Sequence, residues 1–291
     1  MMAETANAIQ RVYVAAHPQL PKAENNATEI AAFIRELGLK AMAGLLSDDD
    51  FIYSVENRSI DLVVTLGGDG TVLRAGHLCA PYDIPILGIN RARFGFLIEV
   101  GENQWPELLP RLLQGEYWFE HRMMLLTEQW RGEQQLGSWE ALNEAFIGRG
   151  EDVRPIHLAT RLDGRPITTY VADGLIISTA TGSTAYALAA GGPILPPELR
   201  NILVMPVAPH LSVDRAIVLS EGSVVSVEVR TGHDAVLSID GQGSIKLTNG
   251  DRVDVRASQH TVRFLRFQKP GYFYRQILTF MDQNPSAGDA R

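Results

Sequence analysis

Residues 67–71 read Gly-Gly-Asp-Gly-Thr, after the apolar stretch Ile60–Leu66 and before a helical-looking one. Glycines let a backbone approach a phosphate closely and turn its N–H groups toward it. A phosphate cradle ordinarily avoids negative charge. Asp69, set in the middle of this turn, therefore needs a task that outweighs its repulsion of anions. The bland alternative is a tight turn with no ligand. No Walker lysine follows, so this is not a P-loop, and the G-x-G-x-x-G spacing of a hydride-transfer dinucleotide site is also absent.

Three further stretches have residue types suited to a nucleotide. Residues 177–193, ISTATGSTAYALAAGGP, offer the hydroxyls of Ser178, Thr179, Thr181, Ser183 and Thr184, and bare backbone at Gly182, Gly191 and Gly192. Tyr186 offers a flat face on which a base can stack. The structural alternative is a hydroxyl-capped helix ending in glycine, whose N-terminus would still accept a polar ligand. Asn143 and Glu144 adjoin at a strand end, where an amide and a carboxylate can hold a ribose diol or an adenine edge; a polar turn is the alternative. Asp240 and Gln242 in SIDGQG read either as ligand contacts or as a hairpin turn. Arg91, Arg93, Arg74, Arg149 and Arg154 lie near these stretches and could neutralise phosphate, or could be solvated surface. The seven histidines show no metal-ligand spacing, and no G-x-S-x-G elbow is present.

These residues need a scaffold, and the pattern supplies one. Arg11–Ala16 reads as a strand, then a helix carries Ile30, Phe33, Ile34 and Leu37 at helical spacing. KAMAGLL reads as a strand, followed by the acidic run Asp48–Asp50. Residues 60–66 and 84–90 are buried strands flanking the short helix TVLRAGHLCA. Strand and helix alternating in this way predict an α/β domain with a largely parallel sheet, over residues 1–100 with a loose start. WPELLPRLL suggests a short helix, with Pro110 badly placed for its interior. From Tyr117 on, short strands and glycine turns dominate, including a hairpin at Asp163-Gly164. They predict a β-rich, sandwich-like domain over residues 101–270. The helical-looking tail within 271–291 is expected to pack back on the first domain.

The 291 residues, 45% of them hydrophobic, suffice for about two domains. A net charge of −8 is a poor basis for nucleic-acid binding, though local arginines can still hold a small anion. One cysteine, Cys79, permits no internal disulfide and fits a reducing compartment. No signal peptide or membrane-length apolar run is legible. A cytoplasmic protein is expected.

Taken in order, GGDGT after a buried strand, then NE, then DGLIISTATGSTAYALAAGGP, then DGQ, resemble the bacterial NAD kinase family over roughly residues 10–270. GGDGT alone is shared with diacylglycerol, sphingosine and 6-phosphofructo-kinases; TGSTAY with GGP behind it discriminates. The resemblance implies ATP-dependent phosphorylation of the adenosine-ribose 2′-hydroxyl of NAD, giving NADP. It also implies a divalent cation, with Mg²⁺ the natural choice, and a homodimer or homotetramer. Asp69 then becomes the base that takes the hydroxyl proton. Gly67, Gly68, Gly70 and Thr71 face phosphate, and Gly70 sits with Asp69 at the ribose. Asn143 and Glu144 match the adenosine contacts. Thr184, Ala185 and Tyr186 match the adenine-binding segment, continuing through Ala187, Leu188 and Ala189. Asp173, Gln242, Arg74 and Arg154 fall at further NAD-contacting positions. Asp69 and Glu144, on different domains, are expected to serve one ribose. The rival readings are a lipid kinase of the same superfamily and a non-catalytic dinucleotide sensor.

Overall fold

The computed structural model describes residues 9–18, 23–90, 95–210, 214–274 and 277. The expected loose start, Arg91, Arg93 and most of the tail lie outside them. The chain divides into two compact units: one runs to His121 and resumes at Val262, the other is Arg122–Thr261.

In the first unit, β1 (Arg11–Ala16), β2 (Lys40–Leu45), β3 (Leu62–Leu66) and β4 (Ile86–Ile89) are parallel neighbours in the order β2-β1-β3-β4. Alternation along the strands decides which helix covers which face. Val12, Val14, Leu62, Val64 and Leu66 share a core with Ile30, Ala31 and Ile34 of α1 (Ala23–Glu36). On the other face Tyr13 meets Phe51 of α2 (Asp49–Glu56), with ring centroids 5.0 Å apart. There α3 (Asp69–Cys79) lies so close to β4 that a Cβ on Gly88 would stand 3.0 Å from Val72 Cγ2. The sheet order reverses between β1 and β3. Such a switch point opens a crevice at the carboxyl ends of the strands, where open α/β sheets bind ligands. The Gly67–Thr71 turn stands there.

Two readings are revised, and the acidic run finds its place: Asp49 and Asp50 fill the first turn of α2, where carboxylates suit the helix dipole. Asp69 is already the first residue of α3. The helix read across WPELLPRLL is two single turns, α4 (Trp105–Leu108) and α5 (Arg111–Gln114). Pro110, which lacks an N–H, falls between them. Leu109, Leu112, Leu265 and Phe267 join the same core as α1, so this unit continues past residue 100 and takes up the segment after Val262.

The second unit is a sandwich of antiparallel sheets. One sheet holds β7 (Glu144–Arg149), β10 (Gly174–Thr179), β11 (Asn201–Val207), β12 (Ile217–Ser220), β14 (Ala235–Ile239) and β15 (Ile245–Leu247), in the order β12-β11-β10-β7-β14-β15. Opposite it, β8 (Ile156–Leu162), β9 (Arg165–Ala172), β13 (Val225–Arg230) and β16 (Asp251–Arg266) follow the order β16-β13-β8-β9, while β5 (Trp118–Arg131) pairs with β6 (Gln134–Ala141). Inward residues of both sheets, among them Ile147, Leu158, Leu175, Ile177, Val227 and Val253, make one core. Asp163 and Gly164 have φ of 49° and 77°, the left-handed pair a two-residue hairpin needs.

Candidate active site

Gly67 is fixed by close approach: a Cβ there would lie 2.1 Å from Thr71 Oγ1. Gly68 and Gly70 are exposed, with nothing within 4 Å of where a Cβ would stand. A ligand can therefore come against the backbone at the first turn of α3, where N–H groups point outward. A cavity of about 270 Å³ opens beside Leu66, Ile89 and Asn90 at the same strand ends. Asp69 lies between the two exposed glycines. Its Oδ2 accepts the N–H of Phe96 at 2.9 Å and its Oδ1 that of Leu97 at 3.1 Å. A Cβ on Gly95 would be 2.1 Å from Oδ1, so only glycine lets the 95–97 backbone close on the carboxylate. Sequence reasoning missed this turn, because its contribution is backbone N–H and not side chains. Arg74 is exposed on α3.

In the second unit Asn143 precedes β7 and Glu144 opens it, and a second aspartate organises them. Asp240, in the β14–β15 turn, accepts the N–H of Leu142 at 2.7 Å and those of Asn143 and Glu144 at 2.8 Å. Its own N–H donates to the Glu144 carbonyl at 2.9 Å. The DGQ stretch is thus a hairpin turn that also sets the geometry of Asn143 and Glu144. Its working member is Asp240; the exposed Gln242 shows only its backbone N–H donating to Ile239. Glu144 is buried, Oε2 has no hydrogen-bond partner among the described residues, and the Tyr186 N–H meets the carboxylate. Burial first, then the charge of Asp240, push its pKa up to about 8. At neutral pH it is mainly a carboxylic acid that can donate a hydrogen bond, not the acceptor-only carboxylate expected from the sequence.

The 177–193 stretch is not one capped helix. A tight turn at Thr181–Thr184 leads through Ala185 into the single turn α6 (Tyr186–Ala189). Four of its hydroxyls serve the protein itself: Ser178 donates to the Asn143 carbonyl, Thr179 to that of Leu142, Ser183 to that of Ala180 and Thr184 to that of Thr181. A Cβ on Gly182 would lie 2.2 Å from the Asn143 carbonyl. These contacts clamp Asn143, Glu144 and Thr184–Tyr186 together. Tyr186 is 40% exposed and braced edge-on by Phe146, with centroids 5.2 Å apart. Ala185 and Leu188 are half-buried and Ala189 exposed, whereas Ala187 is turned into an apolar cluster with Ile176 and Leu203.

Asp173 stands apart. It precedes β10, pairs with Arg149 at 3.2 Å, and sits at the end of β7 opposite Glu144. At strand rise, the five residues to Ser178 put it roughly 17 Å from that cluster. Exposed Arg154 follows Arg149 and belongs to the Asp173 end. Among the described residues, no three His, Cys, Asp or Glu side chains form a metal-holding group, and no helix is long and apolar enough to cross a membrane.

Known proteins resemble this chain in sequence and fold. The profile of the ATP-NAD kinase N-terminal domain matches residues 12–117, and that of the ATP-NAD kinase C-terminal domain residues 142–267. A protein named NAD kinase from Chloroflexus aurantiacus is 38% identical over 271 residues, 93% of this chain and 98% of that one. Among solved structures, yeast NADH kinase complexed with NADH superposes with a TM-score of 0.81 at 23% identity, covering 96% of this chain and 89% of that one. An NAD kinase from Archaeoglobus fulgidus in complex with ATP gives 0.76 at 23%, covering 94% and 99%. With both halves matched in order and a full-length relative at that identity, the chain belongs to the NAD kinase family.

Proposed function

We propose that this protein is an ATP-dependent NAD kinase that phosphorylates the 2′-hydroxyl of the adenosine ribose of NAD, giving NADP. The observation that carries the chemistry is the Asp69 carboxylate, fixed by two backbone N–H groups between two exposed glycines at the switch-point end of the sheet. The 2′-oxygen bonds to the γ-phosphorus, the bond from that phosphorus to ADP breaks, and the hydroxyl proton passes to Asp69. General-base help of this kind is worth about 10²–10⁴-fold. Positioning and charge neutralisation supply the rest.

Gly67, Gly68, Gly70 and Thr71 take phosphate. Mg²⁺ enters with the nucleotide as MgATP, in keeping with its habit of keeping waters and substrate phosphates as ligands. The nucleoside-recognition surface of the β-rich unit is Asn143, Glu144, Thr184, Ala185 and Tyr186: one donor-acceptor pair, one buried acid and one exposed ring. Within that unit Asp173 and Arg154 stand at the other end of β7 from that set. The acidic charge and lone cysteine support a cytoplasmic protein that uses neither nucleic acid nor membrane, and the homodimer or homotetramer rests on the family resemblance alone. The test is NADP formation from NAD and MgATP by the purified protein, with a diacylglycerol as rival acceptor. Phosphorylated lipid without NADP would overturn this reading.

A further inference from the structure

The Asp69 carboxylate is only as well placed as the Phe96–Leu97 backbone that holds it, and this backbone is held in turn from the side away from Asp69. Arg266, the last residue of β16, is fully buried. Its Nη1 donates to the Leu97 carbonyl at 3.2 Å and to Glu99 Oε2 at 3.3 Å. Its Nε donates to Glu120 Oε2 at 2.8 Å. Glu99 Oε1 accepts the N–H groups of Phe267 and Gln268, both at 2.8 Å, and the Tyr272 hydroxyl donates to Glu120 Oε2 at 3.1 Å. The guanidinium also faces the rings of Phe264 and Tyr272, 4.8 and 5.1 Å from their centroids. Leu97 is thus gripped twice: its N–H by Asp69, its carbonyl by Arg266.

A buried arginine with two carboxylates is a poor way to gain stability, since well-packed apolar side chains of the same volume often do as well or better. An apolar side chain cannot, however, donate to the Leu97 carbonyl. We propose that Arg266 is a positioning residue for phosphoryl transfer: aimed by Glu99 and Glu120, it fixes Leu97 and so the orientation of the Asp69 carboxylate. This role presupposes the kinase reading above.

A double-mutant cycle tests it, with Arg266→Lys, Asp69→Asn, both together and wild type compared for kcat and for the KM of NAD and ATP. Lysine keeps the charge but not the rigid fork that serves Leu97, Glu99 and Glu120 at once. In the wild-type background Arg266→Lys should lower kcat at least about tenfold with both KM values within about threefold. In the Asp69→Asn background the same change should cost less than about twofold, because the group it positions is gone. Equal losses in both backgrounds, or no loss in the first, overturn the role. If Arg266→Lys does not fold, Glu120→Gln replaces it in the same cycle. It keeps the shape and loosens the grip on Nε and on the Tyr272 hydroxyl, with a loss of about threefold expected in the wild-type background alone; equal losses would again overturn it. Additive losses in an active enzyme remove only Arg266 from the chemistry, whereas a wild-type protein that makes no NADP removes the kinase reading and this role together.

Discussion

Replacing Glu144 by glutamine should make the protein more stable, by an amount that grows with pH. Burial and Asp240 raise the Glu144 pKa from 4.5 to about 8. The folded protein therefore binds this proton more tightly than the unfolded chain does. The stability that goes with the protonated acid is fully present below about pH 4.5 and is lost as pH rises through about 8. Glutamine has the shape of the neutral acid and never ionises. Integrating the linkage for a single group with those two pKa values, wild type loses roughly 2–3 kcal/mol between pH 5 and pH 7, and roughly 4 kcal/mol by pH 9. The advantage of Glu144→Gln should grow by these amounts. At about 2–4 °C per kcal/mol for a domain of this size, the difference in Tm should widen by roughly 5–10 °C from pH 5 to pH 7. Thermal melts of both proteins at pH 5, 7 and 9 measure it. A Tm difference that stays constant across that range, or shrinks as pH rises, would show that Glu144 is ionised in the folded protein at neutral pH, and the burial argument would fail.

Asp69→Asn should lower kcat by at least about 10²-fold while the fold survives, measured by steady-state NADP formation; near wild-type turnover would remove Asp69 from the role of base. Gly95→Ala places a methyl 2.1 Å from Asp69 Oδ1. It should cost turnover out of proportion to its effect on Tm, since what must give way is the carboxylate itself. Tyr186→Ala should raise the KM for NAD more than it lowers kcat, by the equivalent of about 1–3 kcal/mol for one base–aromatic stack; an unchanged KM would leave Tyr186 a packing partner of Phe146. NAD carrying a 2′-deoxyadenosine should receive no label from γ-labelled ATP, and label in that dinucleotide would mean a different acceptor atom.

Much of the scaffold was legible because its signals are periodic. The buried runs of β1, β3 and β4 and the spacing of Ile30 and Ile34 are such signals, as is the Asp-Gly hairpin. The motif residues were legible by type. How they are held was not. Asp69 is gripped by N–H groups 27 and 28 positions further on, and an N–H leaves no mark in the side-chain alphabet. The hydroxyls between Ser178 and Thr184 read as ligand donors, yet short hydroxyl side chains reach the nearest backbone carbonyls first, and those bonds are what fold the turn. The charge state of Glu144 was hidden for a related reason. A carboxylate beside an asparagine reads as an acceptor until its burial and its neighbour are known.

One device accounts for the acids set among the glycines in both units. A short aspartate at a turn is caught by backbone N–H groups: Asp69 by two, Asp240 by three. Donors of this kind are part of the folded chain and need no rearrangement when charge moves nearby, which is the condition under which fixed dipoles act most strongly on a reaction. The two aspartates then have different consequences because their neighbours differ. Asp69 stands between exposed glycines, where the proposed substrate hydroxyl would approach its fixed carboxylate. Asp240 lies beside Glu144, where burial first and then its fixed charge hold a proton on that neighbour. A carboxylate in a glycine turn repels anions wherever it is free to move toward them. Held still by its own backbone, it is the proposed proton acceptor in one place, and in the other it adds to burial in keeping a second acid neutral.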